Sequence, residues 1–465
     1  MRRRRKRSIT LGHLVRWGRA QTRMSDARLR MPLGDLWMDS RKVKPGDVFL
    51  ALQSASDDGH RYVGRAFEAG AVAAIVDRAR VNQYPAPVRK KLIGVADPLA
   101  AVGRMATAYR RHLNIPVIAV TGSNGKTTTR RFIAAVLREQ FVVGETGGNW
   151  NNHIGVPLTI LRFMGDERIG VVELAANHQG EIGTLSRIVE PDIAVITNIG
   201  YAHIGLFGGL KETVKTKFEI TKGFRRRSSV LLVNGDDRRL NARRARGGWQ
   251  TVSFGMTSRC AVRAGNVTVS ENGSTSFEVD GGRYRLSMPG RHFVYSALPA
   301  IFAGAWFGVP RERMGRALAA LEADPLRGRI ARKAGVTFIV DCYNANPSSM
   351  QSAIKLLADV ARGGRTAAVV GDMLELGKYS TRLHRQLGAR LAAAGVAVLV
   401  AAGAYARHVA DGARGQGMHA GSVRCVPDAS RALGAAKRVL RKGDTVLLKG
   451  SRAMRLETVF QGYGG

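Results

Sequence analysis

The residues best suited to chemistry are Gly122, Ser123, Asn124, Gly125, Lys126, Thr127 and Thr128, in the stretch VIAVTGSNGKTTT. Glycines let backbone N–H groups close around phosphate oxygens, and a helix that begins at the lysine adds partial positive charge there. A lysine and a hydroxyl at the start of that helix suit a β/γ-phosphate and its Mg²⁺. The spacing differs from the common phosphate loop. Gly122 stands three residues before Gly125, and Val120 occupies the place of the usual first glycine. The shorter loop predicts a separate branch of the phosphate-loop architecture, distinct from GTPases and kinases.

Further candidates sit where apolar runs end. Val171–Val172 is followed by Glu173, and Ile193 to Ile196 by Thr197 and Asn198, with His203 just beyond. In open α/β sheets, ligands bind at the carboxyl ends of strands. Glu173 therefore falls where a Mg²⁺ ligand is needed, and His203 is either structural or part of the same site. Asn149, Asn151 and Asn152 in GGNWNNHIG fit either a turn or the lining of a cleft. Lys217 in KETVKTKFEI reads by itself as a surface lysine. So do Ser40 and Arg41 in DSRKVKPGD, although the pair could bind an anion.

These residues need strands and helices to hold them. The chain has 465 residues and 45% apolar content, enough for two to four α/β domains with sizeable cores. Residues 1–24 are expected to form a basic, disordered arm, carrying Arg2 to Arg7 and no apolar leader. Residues 25–112 form a small α/β domain ending in a helical connector, and 113–325 form the central nucleotide-binding domain with a mostly parallel sheet. Within the latter, 228–288 read as strands and tight turns, with hairpin signals at ENGS and DGG. Residues 326–465 alternate strand and helix in a Rossmann-like, doubly wound pattern. Its strand exits carry Asp341, Asp372 and Lys449.

The formal net charge of +38 predicts attraction to polyanions: nucleic acid, phosphorylated substrates or an anionic membrane face. Much of it is scattered arginine without the aromatic interleaving of a nucleic-acid groove, so no obligatory nucleic-acid partner is expected. No apolar run approaches the length of a membrane-spanning helix. The cysteines Cys260, Cys342 and Cys425 form no metal-type spacing, which predicts a reducing, cytoplasmic setting.

Taken together, DSRKVKPGDVFLAL, TGSNGKTTT, NNHIGVPLT, ELAANHQGEI, TNIGYAHI, DCYNANPSSM, GDMLELG and LLKGSRAMRLE resemble the Mur ligase family from about residue 35 to 459. The DCYNANP and GDMLELG pair resembles the branch that adds a dipeptide. The resemblance implies a three-domain enzyme that uses ATP to activate the terminal carboxylate of UDP-N-acetylmuramoyl-tripeptide as an acyl phosphate. The amino group of D-alanyl-D-alanine would then displace phosphate. It implies two Mg²⁺ ions, one held by Thr127 and Glu173, the other by His203 and a carbamate on Lys217. Arg329, Asp341, Asn344 and Asn346 would contact ATP or position the dipeptide. Lys449, Ser451 and Arg452 would complete the closed site, and Ser40 and Arg41 would face the UDP-sugar. A monomer is expected, with at most weak association with an anionic membrane surface.

Four positions depart from the family pattern. Phe293 and Ser296 in GRHFVYS replace asparagines that help hold adenine. Phe218 follows Lys217 where a small residue is usual and would crowd a carbamate. Cys342 replaces an aspartate. Two other readings compete with the dipeptide ligase: a relative that joins a free amino acid, and a non-catalytic basic ATP-binding protein.

Overall fold

The computed structural model describes residues 9–241, 248–270 and 273–464. The basic run Arg2 to Arg7 and the Glu271–Asn272 tip of the ENGS signal lie outside the described residues. Three α/β layers follow one another along the chain.

The first is a five-stranded sheet in the order Gln21–Thr22, Leu92–Val95, Ala73–Asp77, Val48–Leu50, Leu36–Trp37. It corrects the expected arm, because residues 9–24 belong to the fold. The Leu11–Gly18 helix buries Leu11 and Leu14, and Gln21–Thr22 pairs antiparallel with Ile93 and Gly94. The apolar spacing of LGHLVRWG is what decides this, since residues three apart share one helix face. Met105 on the Pro98–Leu113 helix lies against Gly18.

That second helix starts cleanly. Asp97 accepts hydrogen bonds from Leu99 and Ala100 N–H, and Pro98 occupies the first turn, where its missing N–H costs nothing. It is no loose connector. Tyr109 Oη donates to Phe163 O at 2.7 Å, and Arg110 donates to the carbonyls of Val189 and Glu190 and to Asp192. The first layer is thereby fixed on the second.

The second layer is a seven-stranded, wholly parallel sheet with Val117–Thr121 inside it. Ile169–Glu173 and Val143–Glu145 lie on one side; Ile193–Ile196, Val230–Asn234, Gln250–Gly255 and Val262–Arg263 lie on the other. Val117, Ile118, Ala119 and Val120 are fully buried, as a strand covered by helices on both faces must be. Burying each such Val or Ile is worth about 1.5–3 kcal/mol. Successive strands change sides at Val117–Thr121, so its carboxyl end is a topological switch point. A three-stranded antiparallel sheet follows (Gly265–Val269, Thr275–Val279, Gly282–Leu286), its Asp280–Gly281 turn at positive φ as the DGG signal predicts.

The third layer orders its strands Arg329–Lys333, Val336–Val340, Thr445–Lys449, Thr366–Gly371, Val398–Ala402, Val423–Val426, all parallel except the first. Among the described residues no helix is long and apolar enough to cross a membrane.

Candidate active site

The phosphate loop leaves the central strand at Gly122, whose φ is +148°. A Cβ here would stand 1.9 Å from Thr197 Oγ1, so no other residue fits. The strand end 197–198 moulds the loop. Asn198 Oδ1 accepts from Asn124 N–H at 3.0 Å, and Thr197 Oγ1 and Asn198 Nδ2 both donate to Asn124 O. Gly125 then opens the Lys126–Arg138 helix, whose first N–H groups face a cavity of about 1110 Å³. Lys126 Nζ donates to Gly122 O at 2.9 Å and Ser123 O at 3.3 Å. Burial, and the neighbouring Arg327 guanidinium, lower its pKa against the opposing pull of Glu173.

Glu173, only 1% exposed, lines the same cavity. Its Oε1 accepts from Asn151 Nδ2 at 2.8 Å. Its Oε2 has no hydrogen-bond partner among the described residues and lies 3.8 Å from Arg130 Nε. A buried carboxylate oxygen left open costs free energy unless something binds it. A hard cation fits that oxygen and the Thr127 hydroxyl across the cavity. Among the described residues no three His, Cys, Asp or Glu side chains cluster as a metal cage. A metal here would therefore draw on ligands other than such a cluster, the Thr127 hydroxyl and the Glu173 carboxylate among them.

His203 also lines the cavity. Burial comes first, with Lys126 and Lys217 adding to it, in lowering its pKa; Glu375 opposes them. Lys217 is 2% exposed and does not line the cavity; its Nζ lies 5.3 Å from the centre of the Phe207 ring. Burial, then Lys126, depresses its pKa to about 7. An amine with that pKa is substantially uncharged near neutrality, the form that reacts with CO₂. Phe218 is half-buried against the apolar core under the central sheet, and it is the Phe207 ring over which Lys217 Nζ lies.

The third domain closes the far wall. Lys449, 1% exposed, donates to Asp341 Oδ2 at 2.6 Å and to Asn344 O at 2.9 Å, so it holds the DCYNANP loop in shape. Asn346 and Asn124 bond reciprocally through their amides, and Tyr343 Oη donates to Asn149 Oδ1 at 2.7 Å. Cys342 is a core residue: burial pushes its thiol up to about 12, and Sγ donates to Leu448 O.

Several expected site residues lie elsewhere. Arg329 is exposed on the antiparallel edge strand and does not line the cavity. Arg327 does; its guanidinium stacks 3.6 Å from the centre of the Tyr343 ring and lies 3.5 Å from Thr127 Oγ1. Gly328, at φ +73°, turns the chain between the two arginines. Ser451 is buried and accepts from Leu374 N–H, while Arg452 pairs with Glu457. Asn152 Oδ1 accepts from Ile154 and Gly155 N–H where the Gly155–Leu161 helix begins. Ser40 and Arg41, expected to face the UDP-sugar, do not line this cavity, and Arg41 pairs with Asp39. At the positions that depart from the family pattern, Phe293 stacks on Phe132 and Ser296 Oγ accepts from Thr129 Oγ1 at 3.1 Å. Tyr295 and Asp236, which bond to each other at 2.8 Å, line the cavity beside Phe293 and Ser296. Composition singled out neither Arg130 nor Arg327; the paired arginines of LRGR were the available signal.

A parallel sheet carrying a phosphate loop, with a second doubly wound domain shut over it, defines an ATP-dependent ligase fold. Family models for the Mur ligase catalytic, middle and glutamate ligase domains match residues 36–110, 120–304 and 327–452. The chain belongs to the Mur ligase family. It is 37% identical over 425 residues to the UDP-N-acetylmuramoyl-tripeptide–D-alanyl-D-alanine ligase of Bacillus subtilis, covering 90% of this chain and 91% of that one. A crystal structure of MurF from Acinetobacter baumannii superposes with a TM-score of 0.85 at 30% identity, covering 97% and 98% of the two chains. MurF ligase from Thermotoga maritima in complex with ADP gives 0.81 at 28% identity, over 92% and 97%.

Proposed function

We propose that this chain joins D-alanyl-D-alanine to the terminal carboxylate of UDP-N-acetylmuramoyl-tripeptide, converting ATP to ADP and phosphate. One observation carries the reading: Lys126, Glu173 and His203 of the central domain share a single cavity with Asp341, Asn346 and Lys449 of the third.

A carboxylate is a poor acyl donor because oxide is a poor leaving group. Attack of a carboxylate oxygen on the γ-phosphorus expels ADP and makes that oxygen part of a phosphate leaving group. The dipeptide amine then adds to the acyl carbon, and the tetrahedral intermediate collapses with loss of phosphate and a proton. Lys126 and the helix N-terminus stabilise charge on the transferring phosphoryl group, and Arg327 stands beside the same helix start. Bound Mg²⁺ supplies further neutralisation of phosphate charge. Thr127 and Glu173 would hold one ion, and His203 with carbamylated Lys217 the other. The interdomain contacts exclude water from an acyl phosphate that water would destroy. On this reading the enzyme works as a cytoplasmic monomer, in keeping with its three free cysteines.

The test is an acceptor panel with ATP, Mg²⁺ and the UDP-tripeptide. Phosphate release should require D-alanyl-D-alanine and be weak with free amino acids. Preference for a free amino acid would move the chain to another branch of the family.

A further inference from the structure

His203 comes from the central domain, yet its setting is made by the third. Its neighbour Ile204 is 2% exposed and belongs to the third domain's apolar core, with Met373, Leu376 and Ile339. Tyr201 and Leu210 pack on the same core. Gly205 N–H donates to Glu375 O at 3.1 Å. A Cβ on Gly205 would lie 2.8 Å from both Glu375 O and Gly377 N, so the two backbones meet directly. Glu375 itself is held at φ +63°, a conformation that costs free energy outside glycine and persists where its surroundings enforce it. The outcome is that the Glu375 carboxylate, on a half-exposed side chain, faces His203 Nδ1.

We propose that Glu375 is a positioning residue for the metal site, orienting His203 only when the third domain is docked. This rests on the reading of His203 as a metal ligand. A carboxylate against Nδ1 keeps the N–H on that nitrogen and leaves Nε2 as the lone-pair donor, and it fixes the ring's rotation. Glu375 therefore acts through His203 and touches neither nucleotide nor peptide. Because it belongs to the third domain, the second metal site is complete only in the closed enzyme. Metal binding and domain closure must then favour each other, by linkage.

The experiment is a Mn²⁺ titration of the intact protein with saturating ADP, read by the electron paramagnetic resonance of free Mn²⁺. His203→Ala should weaken one Mn²⁺ site. Glu375→Ala should weaken that same site on the order of 10–100-fold. Glu375→Gln should restore most of it, because an amide oxygen can accept the same Nδ1–H. Gly205→Val, which keeps both side chains but pushes the backbones apart, should reproduce the loss, with thermal melting checking that each variant is folded. Mn²⁺ affinity unchanged in Glu375→Ala, alongside a loss in His203→Ala, overturns the role of Glu375 alone. No loss in His203→Ala overturns the metal reading beneath it.

Discussion

Asn124 and Asn346, 222 residues apart in the chain, exchange two hydrogen bonds through their side-chain amides, Nδ2 to Oδ1 at 3.3 and 2.6 Å. One sits in the phosphate loop and the other at the head of the Pro347–Ala361 helix, so the pair reports the docking of the third domain on the nucleotide site. Asn346 also caps its helix, its Oδ1 accepting from Ser349 N–H at 3.0 Å. The two roles separate by substitution. Asn346→Asp keeps the capping oxygen and loses the donor to Asn124. It should melt close to wild type yet lose about fivefold to tenfold in turnover, the equivalent of ~1 kcal/mol for one net hydrogen bond. Asn346→Ala should lose the cap as well, costing ~1 kcal/mol of stability. Paired melting curves and phosphate-release assays distinguish the two.

Arg327 and Arg329 make opposite predictions. Arg327→Ala removes a guanidinium beside Thr127 and should lower kcat/KM for ATP by roughly 10–100-fold, as expected for a hydrogen bond to a charged group. Arg329→Ala, on an exposed edge, should change it by less than about twofold. Steady-state kinetics with varied ATP decides. Equal losses would mean that the edge strand reaches the nucleotide after all.

Lys217 offers a test that needs no substrate. Its pKa is depressed to about 7 in the folded chain, against ~10.4 when unfolded. Between those values the unfolded state binds more protons than the native one, so stability rises with pH across that window. Lys217→Met removes the titrating amine and should flatten the rise. Urea unfolding at pH 7 and at pH 9 measures the difference, and an undiminished slope in the variant would exclude Lys217 as its source.

Lys126→Ala should retain the fold, since among the described residues Nζ bonds to the loop carbonyls of Gly122 and Ser123. It should lose on the order of 100–1000-fold in kcat, the scale for removing a group that stabilises developing charge. Circular dichroism with single-turnover phosphate release checks both parts.

Much of the nucleotide site was legible because it is local. Gly122 to Thr128 are contiguous, and Glu173 and His203 follow buried strands whose carboxyl ends share one edge of a parallel sheet. What escaped was contact between distant segments. Nothing near Asn124 in sequence announces Asn346, and nothing near His203 announces Glu375. Burial was also hidden. Lys217 looks like any surface lysine until Phe207 and the central core enclose it. Arg329, expected at the ATP phosphate, lies outside the cavity while Arg327 lines it, because one turn at Gly328 separates the two. The Leu11–Gly18 helix is hard to read in the sequence because the basic run Arg2 to Arg7 dominates the segment before it. Ser451 and Arg452 do not line the cavity; Ser451 Oγ accepts from Leu374 N–H and Arg452 pairs with Glu457.

The central claim is that a peptide carboxylate oxygen attacks the γ-phosphorus of ATP held by Lys126 and its loop. The direct measurement is oxygen transfer. UDP-N-acetylmuramoyl-tripeptide labelled with ¹⁸O in its terminal carboxylate is turned over with ATP, Mg²⁺ and D-alanyl-D-alanine, and the released phosphate is weighed by mass spectrometry. One ¹⁸O per phosphate is the predicted result. Phosphate free of label, formed alongside ligated product, would contradict the account.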